Sequence, residues 1–466
     1  MMDNTRRNFL LKSVLGAGLA GLGRFSYAED QRDTAERIND IMDRSPLAGK
    51  SVIDLKAAPI KQVKVAFIGT GQRGSGHVRQ YSAMFPDKAK VTAICDIRKE
   101  KAEAAAETCK KNGQKVAVYS GTEDGWKEML KRDDIDLVVI ATPWEMHAPM
   151  AIEAMRQGKH VVVEVPIALT VEETWEVINT AEETQKNCMM LENVNYGDEE
   201  LWLLNMVQNN VFGTLTYGEA AYIHNLRDSL LFTDKYYKMW RIRHHVTTDG
   251  NLYPTHGLGP IGWYMNINRE DRFEYMTSMS SLQASLSAEA KKVDASNEFY
   301  NRTDFKHGDM NNSMVKTAMG RTILVQHDVV TSRPYSRKNC LAGTGGYHEG
   351  YPSRLALTGK GHEWLDEATY NEYREKYKHP IWDKLKDEIK KHGGHGGMDF
   401  VMNYRVVDCL NRGIPLDMDV YDGAAWSSVY PLSVLSVAVG SAPIKFPDWT
   451  RNKWKDKRDI GIMARL

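Results

Sequence analysis

Cysteine is scarce in this 466-residue chain: Cys95, Cys109, Cys188, Cys340 and Cys409 are odd in number and scattered, without the paired spacing of a zinc site. That excludes a disulfide-built scaffold and leaves mostly buried thiols. Net charge is missing too, with 61 lysines plus arginines against 61 aspartates plus glutamates. No global field is available to hold nucleic acid or an anionic membrane, so a small neutral ligand fits better. There is no internal repeat and no low-complexity tract. The apolar stretch from Ser13 to Leu22 is too short to span a bilayer. What is present, 42% hydrophobic and 26% charged residues, suits a large core divided into two or three domains.

The chain opens with Thr5-Arg6-Arg7-Asn8-Phe9-Leu10-Leu11-Lys12 before that apolar stretch, and Ser26-Tyr27-Ala28 offers small residues for cleavage. Residues 1–28 therefore read as a signal peptide of the twin-arginine kind, predicting export to the periplasm or cell envelope. This route serves proteins that cross the membrane already folded, often with a cofactor bound. Residues 29–59 read as a surface arm with a short helix around Thr34 to Arg44 and breakers at Pro46 and Pro59.

From residue 60 to 193 strands and helices alternate. Lys64 to Ile68, Val91 to Cys95, Asp136 to Ala141, His160 to Glu164 and Cys188 to Glu192 are short apolar runs. Between them lie helical segments, among them His77 to Phe85, Lys99 to Asn112, Pro149 to Gln157 and the stretch after Thr170 to Lys186. This spacing predicts a doubly wound parallel sheet, the α/β Rossmann arrangement. From 194 to 446 the pattern turns toward strands: Thr216 to His224, Glu274 to Ser285, Met314 to Met319, Thr322 to Val330 and Ser353 to Thr358. An α+β domain with a large, mostly antiparallel open sheet is expected there, and 447–466 reads as a C-terminal tail.

Gly69-Thr70-Gly71-Gln72-Arg73-Gly74 follows the first strand and opens a helix. In that context the first glycine makes the tight turn, the second lets amides approach a pyrophosphate, and the third lets helix and strand pack. Asp96 closes the second strand, where a carboxylate accepts hydrogen bonds from an adenine ribose and repels a 2′-phosphate. NAD is favoured over NADP, although Arg73 and Arg98 are available to neutralise a phosphate. Two further segments fall at the carboxyl ends of later strands, where ligands of such sheets bind: Thr142-Pro143-Trp144-Glu145-Met146-His147 and Glu164-Val165-Pro166.

Together these segments resemble the glucose-fructose oxidoreductase/inositol dehydrogenase superfamily, in which the junction carries Glu-Lys-Pro. Here valine replaces the lysine that assists proton movement in those dehydrogenases, which argues against a plain sugar oxidoreductase. A closer resemblance, over essentially the whole mature chain, is to glycoside hydrolase family 109, the NAD-dependent α-N-acetylgalactosaminidases. It rests on Gly71 to Gly74, Glu164 to Pro166, Glu192-Asn193-Val194-Asn195-Tyr196 and Asn251-Leu252-Tyr253-Pro254-Thr255-His256-Gly257-Leu258-Gly259-Pro260. The resemblance implies NAD contacts at Gln72, Arg73, Asp96, Trp144, Glu145, Met146, His147, Glu164, Val165 and Asn193. It implies sugar contacts at Tyr222, Arg241, Tyr253, Pro254, Thr255, His256 and Tyr335.

An ordinary glycosidase needs two carboxylates flanking the scissile bond. Glu164, Glu192, Asp198 and Asp249 are candidates, but among 61 acidic residues no pair stands out. The family's route avoids that need: oxidation at C3 of the sugar acidifies the C2 proton, the group at C1 is eliminated, water adds, and hydride returns to C3 with overall retention. A recycled NAD also suits an exported enzyme, which has no cofactor pool outside the cytoplasm. His256 is the expected proton carrier, on a turn between breakers in a loop, assisted by Tyr253 or Tyr222, with Arg241 holding oxygen atoms. His392-Gly393-Gly394-His395 offers too few fixed ligands for a metal and reads as a loop near the site, so no metal is expected. Tyr370 to Lys391 reads as a solvated helix pair broken at Pro380. The expected partner is a carbohydrate or glycoconjugate terminus, and fold-level analogy adds a homodimer through an exposed sheet face. The competing readings are a periplasmic NAD-dependent sugar oxidoreductase and a cofactor-stabilised binding protein.

Overall fold

The computed structural model describes residues 27–43 and 49–466, with side chains from residue 31 onward. The twin-arginine segment, its apolar stretch and Pro46 lie outside the described residues. Six strands form the first sheet: β1 Val63–Ile68, β2 Ala89–Asp96, β3 Ala117–Ser120, β4 Leu137–Ile140, β5 His160–Val163 and β6 Cys188–Met190. All neighbours run parallel in the order β3-β2-β1-β4-β5-β6. Helices cover both faces, so a central strand must be apolar on both sides, and Leu137 to Ile140 are all buried. The strand order reverses between β1 and β4, which leaves a crevice outside their carboxyl ends.

Eight strands form the second sheet: β7 Leu215–Ile223, β8 Phe273–Ser280, β9 Asn311–Thr317, β10 Thr322–Asp328, β11 Cys340–Gly343, β12 Gly346–Glu349, β13 Arg354–Leu357 and β14 Ile444–Lys445. Their order is β13-β12-β11-β7-β10-β9-β8-β14, antiparallel throughout except for the β7–β10 pair. On β9, Asn311, Ser313, Val315 and Thr317 point inward while Asn312 and Met314 point out, the period of two expected of a half-covered sheet. The helices Thr255–Tyr264 and Val429–Ala438 pack on the inner face against β7 and β8. The outer face leaves Met279 and Met314 exposed.

The structure departs from the sequence reading where strands are short or held from a distance. β3, β11, β12 and β14 have no counterpart in the sequence reading: each is short and only partly buried, so it lacks the apolar run that marks the equally short β4, β5 and β6. The strand expected over Glu274 to Ser285 stops at Ser280, because Asp309 captures the backbone amides of Ala284 and Ser285 and starts the helix Ser285–Ala290. The arm is docked rather than loose. Its helix, Tyr27–Met42, buries Ala35, Ile38 and Met42 at helical spacing, and Asn39 bonds Pro443 O and Lys445 N beside β14. The tail is docked as well: Trp449 packs on Trp175 at 4.7 Å, Arg451 pairs with Glu182, and Ile460 and Ile462 are buried. The charged run divides into Glu367–Tyr377, Pro380–Lys384 and Lys386–His392, with Pro380 in the first turn of its helix as proline's missing N–H allows. All five cysteines are free and buried.

Candidate active site

The glycine turn sits between β1 and the helix Gly74–Ala83, and each glycine answers a different constraint. Gly69 has φ +85°, and a Cβ there would lie 2.5 Å from Ala141 O. A Cβ on Gly74 would lie 2.0 Å from Gly69 O, so helix and strand approach only because it is absent. At Gly71 a Cβ would meet only the end of the Arg98 side chain, so this side of the turn faces no backbone. Asp96 closes β2 and is fixed there, one oxygen accepting from Thr70 N at 2.7 Å and the other from Arg98 N at 2.9 Å. This set fits a dinucleotide: an open amide turn at a helix start, and a carboxylate at the end of the second strand.

Arg73 does not stay in the turn. Its Nε donates to Glu164 at 2.6 Å, and its two terminal nitrogens donate to Asp399 at 2.6 and 3.0 Å. Asp399 also accepts from Asn193 at 2.6 Å and meets His395 Nδ1 at 2.7 Å. Glu164 accepts from His77 Nε2 at 2.7 Å, because His77 Nδ1 takes the hydrogen bond of Asn403 at 2.8 Å. Burial opposes ionisation of Glu164, but Arg73 and then His77 outweigh it and hold the carboxyl at about 2. Asp399 is likewise held far below the usual range: burial opposes this, and His395 and Arg73 overcome it. Arg73 and His77, through Glu164 and Asp399, tie the first helix of the parallel sheet to the helix Met398–Arg412.

A second group of side chains lies on the other side of the crevice. Gly257 lets the helix Thr255–Tyr264 press onto β7, since a Cβ there would lie 2.2 Å from Ala221 N. That approach brings His256 against Tyr222, with ring centroids 5.4 Å apart. His256 Nδ1 meets the wholly buried Glu192 at 2.7 Å, and its Nε2 lies 3.3 Å from the Tyr253 hydroxyl. Glu192 accepts only, so it fixes the proton on Nδ1 and turns the Nε2 lone pair toward Tyr253. Burial, then the neighbouring Tyr222, push the Tyr253 hydroxyl well above its ordinary value, against the pull of Arg241. The Tyr222 hydroxyl lies 2.8 Å from His224 Nδ1; burial, then Arg241, lower His224 to about 4, so it is a neutral acceptor.

Arg241 occupies the centre of this group. It is 5% exposed, and its guanidinium lies 4.7 Å from the Tyr253 ring, 5.0 Å from Trp144, 5.6 Å from Tyr236 and 5.8 Å from Tyr222. Nη1 donates to the Tyr236 hydroxyl at 3.2 Å, while Nε and Nη2 are buried without a hydrogen-bond partner. The aromatic faces partly offset the charge. Thr255 Oγ1, Asn193 Oδ1 and Glu192 Oε2 are also buried without partners, so donors and acceptors remain for a ligand rich in hydroxyls.

The structure thus gathers Tyr222, Arg241, Tyr253, Thr255 and His256 at one place, with Pro254 as the residue that starts their helix. Three expectations change. Tyr253 to His256 do not form a loop turn: Thr255 and His256 begin a helix, because the glycines at 257 and 259 serve close packing there rather than breaking it. Trp144, expected beside the cofactor, packs on Tyr253 at 5.7 Å and so belongs also to the sugar side. His147 sits between two carbonyls, Nδ1 2.7 Å from Pro166 O and Nε2 2.9 Å from Thr142 O, and so links the loop after β4 to the Glu-Val-Pro segment. Glu145 and Met146 share that loop, with Glu145 3.6 Å from His244. Gln72 is exposed beside the turn, and Val165 is buried, bringing no ionisable group to the position of the absent lysine. Tyr335 stands at the mouth, 6.4 Å from Tyr222 and 40% exposed. Asp399, His77 and Asn403 escaped the sequence reading, since nothing local marks them. His395, read only as part of a nearby loop, joins the network through Asp399.

Comparison with known proteins agrees with this division. Residues 63–192 match the oxidoreductase family with an NAD-binding Rossmann fold, and residues 196–456 match the C-terminal domain of glycosyl hydrolase 109. A glycosyl hydrolase family 109 protein from Shewanella baltica is 48% identical over 465 residues, spanning 98% of this chain and 99% of the relative. A protein from Shewanella oneidensis named alpha-N-acetylgalactosaminidase is 47% identical over 469 residues, spanning 99% of this chain and 100% of the relative. Among solved structures, levoglucosan dehydrogenase in complex with NADH and levoglucosan superposes with a TM-score of 0.62 at 17% identity, covering 83% of this chain and 100% of that one. Apo scyllo-inositol dehydrogenase from Lactobacillus casei gives 0.57 at 13% identity, covering 83% and 99%. The last two share the fold, whereas identity near one half across the whole length places the chain, with its NAD-binding Rossmann domain, in glycosyl hydrolase family 109.

Proposed function

We propose that this protein releases terminal α-linked N-acetylgalactosamine from glycans, with retention at C1, using NAD that is restored in every turnover. The observation that carries this reading is the Glu192–His256–Tyr253 chain, which faces the unpaired Arg241 in an aromatic box. When bound, NAD supplies reversible hydride acceptance at C3 of the sugar, so the net reaction is hydrolysis. Tyr253 stands between His256 Nε2 and the box, and its high affinity for the proton suits it to relay rather than to hold a negative charge. His256 takes the proton, and Glu192 stabilises the imidazolium that results. Arg241 donates through its free nitrogens to a sugar oxygen on which negative charge builds. Val165 supports hydrolysis over a plain sugar oxidoreductase, because no amine stands there to carry the proton of the hydroxyl being oxidised.

Export by the twin-arginine route belongs to the same proposal, supported by Arg6-Arg7 and the short apolar stretch after them. Incubation with a chromogenic α-N-acetylgalactosaminide in the presence of NAD is the direct test. The expected outcome is release of the chromophore, no net NADH, and solvent deuterium at C2 of the freed sugar. Stoichiometric NADH with a free sugar and no release would identify an oxidoreductase instead.

A further inference from the structure

At the outer edge of the sugar site two tyrosines are left exposed: Tyr335 at 40% and Tyr351 at 38%. Their rings meet at 5.9 Å with an interplanar angle of 67°. Tyr335 continues inward to Tyr222, so a line of rings runs from the buried box to solvent. Arg337 braces both, its guanidinium 5.6 Å from the Tyr335 ring and 5.3 Å from the Tyr351 ring, with Nη1 on the Tyr335 hydroxyl at 3.0 Å. The charge of this arginine is already met, since Nη2 pairs with the buried Glu200 at 2.9 Å.

The loop carrying Tyr351 is fixed in advance. Tyr351 has φ +60°, a conformation that bulky residues rarely adopt. Ser353 Oγ next to it lies 2.9 Å from His348 Nε2 and 2.8 Å from the Tyr370 hydroxyl. Exposed aromatic faces of this kind lose little freedom when a ligand covers them, and tyrosine offers an apolar face with a polar rim. A pyranose has the matching surface, C–H groups on its faces and hydroxyls at its edge.

We propose that Tyr335 and Tyr351, braced by Arg337, form an aglycone subsite for an uncharged pyranose, the sugar to which the terminal residue is joined. This rests on the hydrolase reading above. The ligand is uncharged because the Arg337 guanidinium against the two rings is already paired with Glu200.

The test compares methyl α-N-acetylgalactosaminide, which has no second ring, with a methyl glycoside of α-N-acetylgalactosaminyl-galactose. Tyr351→Ala is expected to lose about tenfold in kcat/KM on the disaccharide, mainly through KM, and to stay within about twofold on the monosaccharide. Tyr351→Leu, which keeps bulk without a flat face, repeats the loss, and Tyr351→Phe keeps the activity. Equal losses on both substrates, or no loss on the disaccharide, overturn the subsite. If the wild-type enzyme hydrolyses neither glycoside, the hydrolase reading has failed, and calorimetric binding of the disaccharide decides the subsite alone. Weaker binding by Tyr351→Ala than by Tyr351→Phe supports it; equal binding, or none by the wild type, overturns it.

Discussion

Arg73, partly buried, and Arg241, buried, are two arginines of the two-sided crevice, and their surroundings treat them in opposite ways. Arg73 is divided between Glu164 and Asp399 and has no charge left for a ligand. Arg241 forms no ion pair among the described residues, aromatic rings crowd its guanidinium, and two of its three nitrogens have no hydrogen-bond partner. Burying a cation without an anion costs free energy that folding alone has no reason to keep. The first arrangement therefore holds two parts of the chain together, while the second is poised for the negative charge or oxygen atoms that substrate brings. A charge satisfied within the protein reads as architecture, and a charge left unsatisfied reads as a site.

The contrast is open to experiment. His256→Ala should cause the largest effect, a loss of about 10³-fold in kcat with cofactor binding unchanged, since general acid–base catalysis is worth about 10²–10⁴-fold. Cofactor lost together with activity would move His256 to the architectural side. Arg241→Met should cost about 10²-fold in kcat/KM while leaving the urea unfolding midpoint unchanged or raised, because an unpaired buried cation is replaced by an apolar side chain. A marked fall in stability would show that the aromatic box fully supports the cation.

Asp399→Ala should do the reverse. It strips Arg73 of one of its two anions and leaves Asn193 and His395 without their shared acceptor, for a stability loss of about 2 kcal/mol by urea unfolding. An unchanged midpoint would contradict the structural role. The smallest effect concerns pH. The Glu164 carboxyl is held at about 2 when folded, below its value in the unfolded chain, so its contribution is fully present above the usual carboxylate range. It fades as pH falls from about 4.5 toward 2, and Glu164→Gln should flatten that part of a plot of unfolding midpoint against pH.

Legibility followed distance along the chain. The glycine turn, Asp96 and the apolar strands are each contained in a few neighbouring residues, and the structure finds them at the expected ends of β1 and β2. Tyr-Pro-Thr-His stands out as a segment, but its helical setting does not. Only the close packing against Ala221 explains why glycine-rich residues after it continue as a helix. Glu192 was one of several acidic candidates until Gly259 and the helix around it brought His256 within 2.7 Å. Asp399 has one local partner, His395, but the two that give it its place in the site, Arg73 and Asn193, lie 326 and 206 residues away.

By itself, then, the sequence determined the parallel nucleotide-binding sheet, the following open sheet, and the residue types available for proton transfer. These depend on local periodicity and short-range turn chemistry, which neighbouring residues specify. Tertiary structure alone decided which arginine is neutralised and which is left for a ligand, and which glutamate orients His256. Ion pairing and burial depend on what the folded chain brings within a few ångströms, and that is not written in any single stretch of it.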